Sequence, residues 1–306
     1  MPVIAILGAT GQIGRSLARA FARRAGMSLD LYARSPERIA LPSNAAAGHA
    51  AHAFGTFPVR TPDIVLDCTG AGDTARIAAR GGKFTADILA VDQLITDHMA
   101  ERAPESLLVS FSSGVVHGDR QDGPVERERP LLARSDDLYT QMKLDLERRH
   151  RERDDLNLVD LRLFGYFSHC QNLTGRFLLS QAAAAIVGGK VLDTAADNIA
   201  RDYVHPDDLC DLILRCADSR PLNTAFDIYS LAPLWKFDLL DRLADRFGLR
   251  YRIDASVPAG RARRQYYSLC RRAAATGYRP RYDAIDTVLS EMSALLDAHH
   301  SEGHRT

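Results

Sequence analysis

Tyr139 and Lys143 stand four residues apart, a spacing that on a helix brings both side chains to one face. An ammonium group beside a phenol lowers the cost of ionising it, because a neighbouring opposite charge favours the charged form. Such a tyrosine can give a proton to an alcohol oxygen, or take one from it, while a hydride moves at the adjoining carbon. Upstream lies the pair Ser112-Ser113, and the Ser113 hydroxyl can hydrogen-bond the same oxygen. Near the start, Gly8, Gly11 and Gly14 punctuate a segment that also contains Thr10, Gln12 and Ile13. Small residues there let the backbone approach a pyrophosphate, and the helix that follows offers unpaired N–H groups to it. Taken singly, a YxxxK pair reads as a surface contact and a glycine cluster as a tight turn. Their order along one chain joins them into a site.

The elements that must position these residues are legible as alternating strands and helices. Val3–Leu7 is a short apolar strand, the glycine segment opens a helix through residues 15–23, and a second strand at 28–33 follows. That unit is about 30 residues long, as a dinucleotide-binding β-α-β unit requires. Further strands are predicted near 52–56 and at 64–68, 107–112 and 158–164, with helices at 84–101 and 135–153. Thr69 and Gly70 end the 64–68 strand and are assigned to the cofactor. The alternation predicts an α/β fold, a Rossmann-type doubly wound parallel sheet over residues 1–165 with a returning segment near 200–230. Ser113 then falls at the C-terminal end of a parallel strand, where ligands of such sheets bind. Beyond residue 165 the rhythm loosens. Helices are expected at 176–187, 237–247 and 282–299, a strand at 226–229 and a frayed end at 301–306. Residues 166–199 and 231–306 are expected to form a smaller, mixed substrate-binding region.

Composition narrows the partners. The chain of 306 residues has 39 basic and 39 acidic side chains, so it has no global field to gather nucleic acid or an anionic membrane. Its five cysteines are scattered and contain no CxxC pair, which argues against a disulfide framework or a structural zinc site and suits a reducing cytoplasm. No metal constellation is recognised, and no stretch of about 20 apolar residues suggests a membrane span. Any anion must be gripped locally.

Past the last glycine, an NAD site usually offers an acid to the adenosine ribose. Here the second strand ends in Ala33-Arg34-Ser35. A guanidinium and a hydroxyl at that place suit a 2′-phosphate, so NADP is expected, with NAD possible. Arg261 and Arg264, in a basic stretch followed by Tyr266 and Tyr267, could hold the diphosphate of a substrate, although a solvated cationic face would look the same.

Four segments in order resemble one family, the extended short-chain dehydrogenases/reductases of the epimerase/dehydratase group. They are Gly8-x-x-Gly11-x-x-Gly14, Ser112-Ser-Gly-Val-Val-His-Gly118, Tyr139-Thr-Gln-Met-Lys143 and Arg201-Asp-Tyr-Val-His-Pro-Asp-Asp208, with Gly277-Tyr-Arg-Pro280 as a late echo. The resemblance implies that Ser113, Tyr139 and Lys143 are catalytic, that Phe164 lies where the sheet closes over the nicotinamide, and that Arg201 and His117 meet substrate. His117 stands where the family usually has tyrosine. The resemblance also implies a nucleotide-sugar substrate and a homodimer built from the helices at 84–101 and 135–153. Relatives that eliminate water carry an Asp-Glu pair after the catalytic serine or threonine. Gly114 and Val115 occupy those positions and have no proton to give, which argues against a dehydratase. The leading expectation is therefore an NADPH-dependent reductase of a keto group on a nucleotide-linked sugar. The alternatives are a nucleotide-sugar epimerase and, in another class, a non-catalytic NADP-binding regulator.

Overall fold

The apolar runs assemble into one sheet, and the chain order of its strands creates the crevice at which a site can form. In a computed structural model, residues 1–40, 48–70, 74–118, 123–128, 130–258 and 264–303 are described. The strands are β1 (Val3–Leu7), β2 (Ser28–Ala33), β3 (Ala50–Ala53), β4 (Ile64–Asp67), β5 (Leu107–Ser113), β6 (Asn157–Leu163), β7 (Val191–Thr194), β8 (Ala200–Arg201), β9 (Asn223–Asp227), β10 (Leu234–Trp235), β11 (Arg250–Ile253) and β12 (Gln265–Tyr266). The helices are α1 (Gln12–Ala22), α2 (Thr74–Arg102), α3 (Leu138–Arg151), α4 (Leu178–Gly188), α5 (Pro206–Asp218), α6 (Lys236–Phe247) and α7 (Ala284–Gly303).

Seven strands pair in parallel in the order β3-β2-β1-β4-β5-β6-β9. The chain runs outward from β1 to β3 and then crosses back to β4, so the order reverses between β1 and β4. Such a switch point leaves a crevice beyond the C-terminal strand ends. Gly8 lines up against it with φ +78, and a Cβ there would lie 2.5 Å from Cys68 O, so only glycine lets β1 turn this close to β4. Helix α1 follows with Gly14, Leu17, Ala18 and Phe21 buried at helical spacing. These residues pack with Leu209 and Ile213 of α5 on one sheet face, while Ile95 and Met99 of α2 cover the other with Leu108 and Leu158.

A second core gathers Leu179 and Ala183 of α4, Leu240 and Leu243 of α6, and Val288 and Met292 of α7. Two small sheets accompany it, one in the order β10-β8-β12 and one pairing β11 with β7. The expected doubly wound fold with a smaller mixed part is therefore present.

Local differences have physical reasons. The strand expected near 52–56 lies at Ala50–Ala53, because its partner β2 ends at Ala33, and Phe54–Thr56 closes into a 3-10 turn instead. Helix α2 begins ten residues before the expected start and contains a break at Gly81, whose φ of 62 and ψ of −161 are non-helical. Helix α7 continues to Gly303, past the expected fraying point at 301. Helix α5 was not among the expected elements, although it has clear start signals in His205, which accepts from the Asp207 amide at 3.1 Å, and Pro206 at its first turn. Among the described residues, no helix is long and apolar enough to cross a membrane, all five cysteines are free, and no group of side chains could hold a metal.

Candidate active site

Ser113 is the last residue of β5 and is almost fully buried. Its strand passes directly into a 3-10 turn, Gly114–His117, in which the Val115 amide donates to Ser113 Oγ at 3.4 Å. Gly114 lets the Phe164 ring pack against that turn: a Cβ would lie 2.3 Å from the ring. Asp137 caps α3 by accepting from the Thr140 amide at 2.8 Å, which places Tyr139 in the first turn. Tyr139 packs with Met142, Leu146 and Ile88 of α2.

One helical turn on, Lys143 is buried and its Nζ donates to the Phe111 carbonyl at 2.5 Å. The ammonium lies 5.9 Å from the centre of the Tyr139 ring. It also approaches the end of β4, where a Cβ on Gly70 would sit 3.5 Å from Nζ. Burial raises the pKa of the Tyr139 phenol, and a hydrogen bond with Ser113 opposes that rise. Burial lowers the pKa of Lys143, while Asp67, Asp160, Glu147 and Asp92 act to hold it up.

These groups face a cavity of about 600 Å³, within the usual range for small-molecule sites. Ser113, Tyr139, Lys143 and Phe164 line it together with Gln12 and Ile13 at the start of α1. Tyr139 therefore shares one cavity with the start of α1. Helix α1 begins at Gly11 with no side-chain cap, leaving its first N–H groups for a ligand. Gly8, Thr10, Gly11 and Gly14 shape the turn behind that end and do not line the cavity themselves. Gly70 does line it, whereas the Thr69 amide and hydroxyl are engaged with Asp67 Oδ1 at 2.9 and 2.6 Å. Across the cavity lie Arg176, Arg201, Tyr203, Lys236 and Tyr266.

Other expected residues fall elsewhere. His117 does not line the cavity: its ring is buried, with Nε2 2.9 Å from Asp227 Oδ1, and it stacks on Phe164. The expectation was a substrate contact; the structure places His117 outside the cavity lining, with Nε2 committed to a buried carboxylate. Arg264 also does not line it, and its guanidinium stands over the Trp235 ring at 5.8 Å. Arg261 lies outside the described residues. Arg34, exposed, and Ser35 sit at the C-terminal end of β2, away from the main cavity.

Sequence reading missed three features. Asp67, at the end of β4, lines the cavity, and its burial pushes its carboxyl pKa up. The Tyr266 hydroxyl is 3.0 Å from Ser113 Oγ, a contact from a segment that had been read for its arginines. Beneath the strand ends, Ser112 donates to Glu147, Arg162 grips Glu147 through Nη2 at 2.6 Å, and Arg162 and His117 share Asp227. Serine followed by serine on a strand was the available signal, because neighbouring side chains face opposite sides, so that Ser112 meets Glu147 and Ser113 meets Tyr266.

No curated protein matches the chain. Among solved structures, the chain is similar to a UDP-N-acetylglucosamine 4-epimerase from Methanobrevibacter ruminantium in complex with UDP-N-acetylmuramic acid. The TM-score is 0.79 at 13% identity, covering 97% of this chain and 98% of that one. It is also similar to a UDP-glucose 4-epimerase with UDP-glucose from Thermotoga maritima, with TM-score 0.76, 16% identity and coverage of 97% and 99%. A third is a UDP-glucuronic acid 4-epimerase from Bacillus cereus in complex with UDP-glucuronic acid and NAD, with TM-score 0.70, 17% identity and coverage of 97% and 99%. At these identities the likeness establishes the fold. The family itself rests on the sequence, whose residues 4–232 match the family model. With that match spanning well over half of its length, the chain belongs to the NAD dependent epimerase/dehydratase family and is an enzyme of the extended short-chain dehydrogenase type.

Proposed function

We propose that the protein interconverts epimers of a nucleotide-linked sugar by oxidising one sugar carbon and reducing it again. The observation that carries this reading is the single cavity shared by Tyr139, Ser113, Lys143 and the open start of α1. The similar structures support it, being 4-epimerases that hold UDP-sugars. This replaces the leading expectation of a keto-sugar reductase with its alternative. Dehydration is disfavoured by packing as well as by chemistry, because a side chain at position 114 would collide with Phe164.

The residues present fit a nicotinamide dinucleotide: an uncapped helix start behind a glycine turn with no room for side chains. Gln12, Ile13 and the first amides of α1 would hold its pyrophosphate, Lys143 and Gly70 its nicotinamide ribose, and Phe164 would close over the ring. When bound, it supplies the hydride acceptor and donor. Tyr139 takes the proton of the sugar hydroxyl during oxidation and returns it during reduction, and Ser113 holds that oxygen. Lys143 supplies positive charge that favours the phenolate. Arg201 also lines the cavity, where it would draw an anionic nucleotide, whereas the Lys236 ammonium is already paired with Asp197 at 3.0 Å. In this reading residues 1–165 and the returning segment hold the cofactor, and residues 166–199 and 231–306 hold the sugar nucleotide. The exposed sides of α2 and α3 would join two copies, with Leu94, 69% exposed, on that face.

A second reading, NADPH-dependent reduction of a keto sugar, is favoured by the end of β2. No acid stands at residues 33–35, and Asp30 is already engaged by Arg60 at 2.6 Å and His52 at 3.3 Å. Incubation with a panel of UDP- and dTDP-hexoses separates the two. Epimerisation gives a new sugar by NMR with no net change in nicotinamide absorbance. Stoichiometric NADPH consumption with 4-keto sugars and no epimer from any hexose would replace it with the reductase.

A further inference from the structure

The Ser113 hydroxyl has one proton and two lone pairs. One lone pair faces the Val115 amide at 3.4 Å, and the Tyr266 hydroxyl stands 3.0 Å away. Ser113 and both phenols, Tyr139 and Tyr266, line the same cavity, and Ser113 lowers the pKa of Tyr139. We propose that Tyr266 is a positioning residue for the reaction, holding the Ser113 hydroxyl so that it can serve Tyr139 in either protonation state.

Two arrangements of the protons between Tyr266, Ser113 and Tyr139 satisfy the serine. If Tyr266 donates to Ser113, the serine proton turns to Tyr139 and supports its phenolate. If Ser113 donates to Tyr266, the serine lone pair accepts the Tyr139 proton and supports the phenol. Tyr266 can donate or accept, so the short chain reverses when Tyr139 gains or loses its proton, and neither state leaves the buried serine half-satisfied. An aliphatic or phenyl side chain at 266 would offer neither role.

The rest of the fold holds this phenol still, as a positioning role requires. Strand β12 pairs in parallel with β8, placing Tyr266 opposite Arg201, whose guanidinium lies 5.6 Å from the ring. Phe164 packs against the ring at 5.1 Å. Two residues on, Ser268 is tied to Asp227 at 2.7 Å, the carboxylate that also holds His117 and Arg162. The buried network beneath the strand ends therefore fixes the segment carrying Tyr266 to the strand end carrying Ser113.

The inference rests on Tyr139 being the proton carrier but is testable without any sugar. Tyrosine labelled with 13C at Cζ reports each phenol's ionisation by NMR, and the Tyr139 signal is identified by its loss in Tyr139→Phe. The titration is run with oxidised NAD bound, whose cationic ring favours the phenolate. In Tyr266→Phe, which keeps the ring and removes only the hydroxyl, Tyr139 is expected to ionise on the order of half a pH unit higher. In a Ser113→Ala background the same substitution is expected to produce no shift. An unchanged Tyr139 titration in folded Tyr266→Phe, or a shift that persists without Ser113, overturns the proposal. Absence of epimerisation with every sugar would leave these titrations as they are, so the two readings fail separately.

Discussion

Tyr139 draws its character from burial that disfavours its charged form, a Ser113 hydroxyl that opposes this and an Asp137 carboxylate that adds to it, with the Lys143 ammonium 5.9 Å from the centre of its ring. Lys143→Met removes the positive charge with little change in volume. It should lower turnover on the order of 10²-fold and move the Tyr139 inflection in the pH–rate profile upward, because the phenolate loses its counter-charge. A wild-type profile from that variant would deny the lysine an electrostatic role. The Tyr-Lys spacing and the serine pair were legible in sequence because helix and strand periodicities dictate which side chains share a face. The inward placement of His117 was not legible, because a residue next to a strand end can be turned by a buried acid that arrives from far along the chain, here Asp227. Tyr266 was overlooked for the same reason: its partner Ser113 is 153 residues away, and no local pattern announces it.

The elements form because each carries a face that must be buried, and the site depends on how tightly those faces meet. Gly114 is the clearest case. Gly114→Asp, which would restore the acid of a dehydratase, should destabilise the fold by about 1–3 kcal/mol through overpacking against Phe164. Adding Phe164→Ala should cost less than the sum of the two changes, since the residues share one space. Calorimetry on the four proteins checks this, and strict additivity would contradict the contact. Helix α3 is tied on its other side by His150, wholly buried between Asp92 and Asp160 at 2.8 Å each. Despite its burial, those carboxylates raise the His150 pKa from 6.5 to about 10. The folded value exceeds the unfolded one, so this stabilisation is complete below about pH 6.5 and is lost as pH rises through about 10. Urea midpoints should fall across that window in the wild type and fall less in His150→Gln. Equal slopes would remove His150 from the linkage. The long strands of the main sheet were legible as apolar runs. The two-residue strands β8, β10 and β12 were not, because a bridge that short leaves no periodicity to read.

At the scale of the molecule, the reversal of strand order between β1 and β4 brings the glycine turn, the β5 serine and the first turn of α3 to one opening. The C-terminal half closes that opening with β12 and the α4–α6–α7 core. Alternation of strands and helices made the first part foreseeable from sequence. The second depends on contacts between distant short segments. Because a ligand that binds only the folded protein stabilises it, NAD or NADP at 100 times its Kd should add about 2.7 kcal/mol. Comparing the two at one equal concentration in wild type and Arg34→Ala shows whether the end of β2 selects a 2′-phosphate: loss of an NADP preference in the variant assigns it, and an unchanged difference between the cofactors excludes it. Turnover of Tyr139→Phe tests the proposed role of the Tyr139 phenol as proton carrier most directly. The variant should bind nicotinamide dinucleotide as the wild type does while its epimerisation rate falls by about 10²–10⁴-fold; a wild-type rate from the folded, cofactor-bound variant would contradict it.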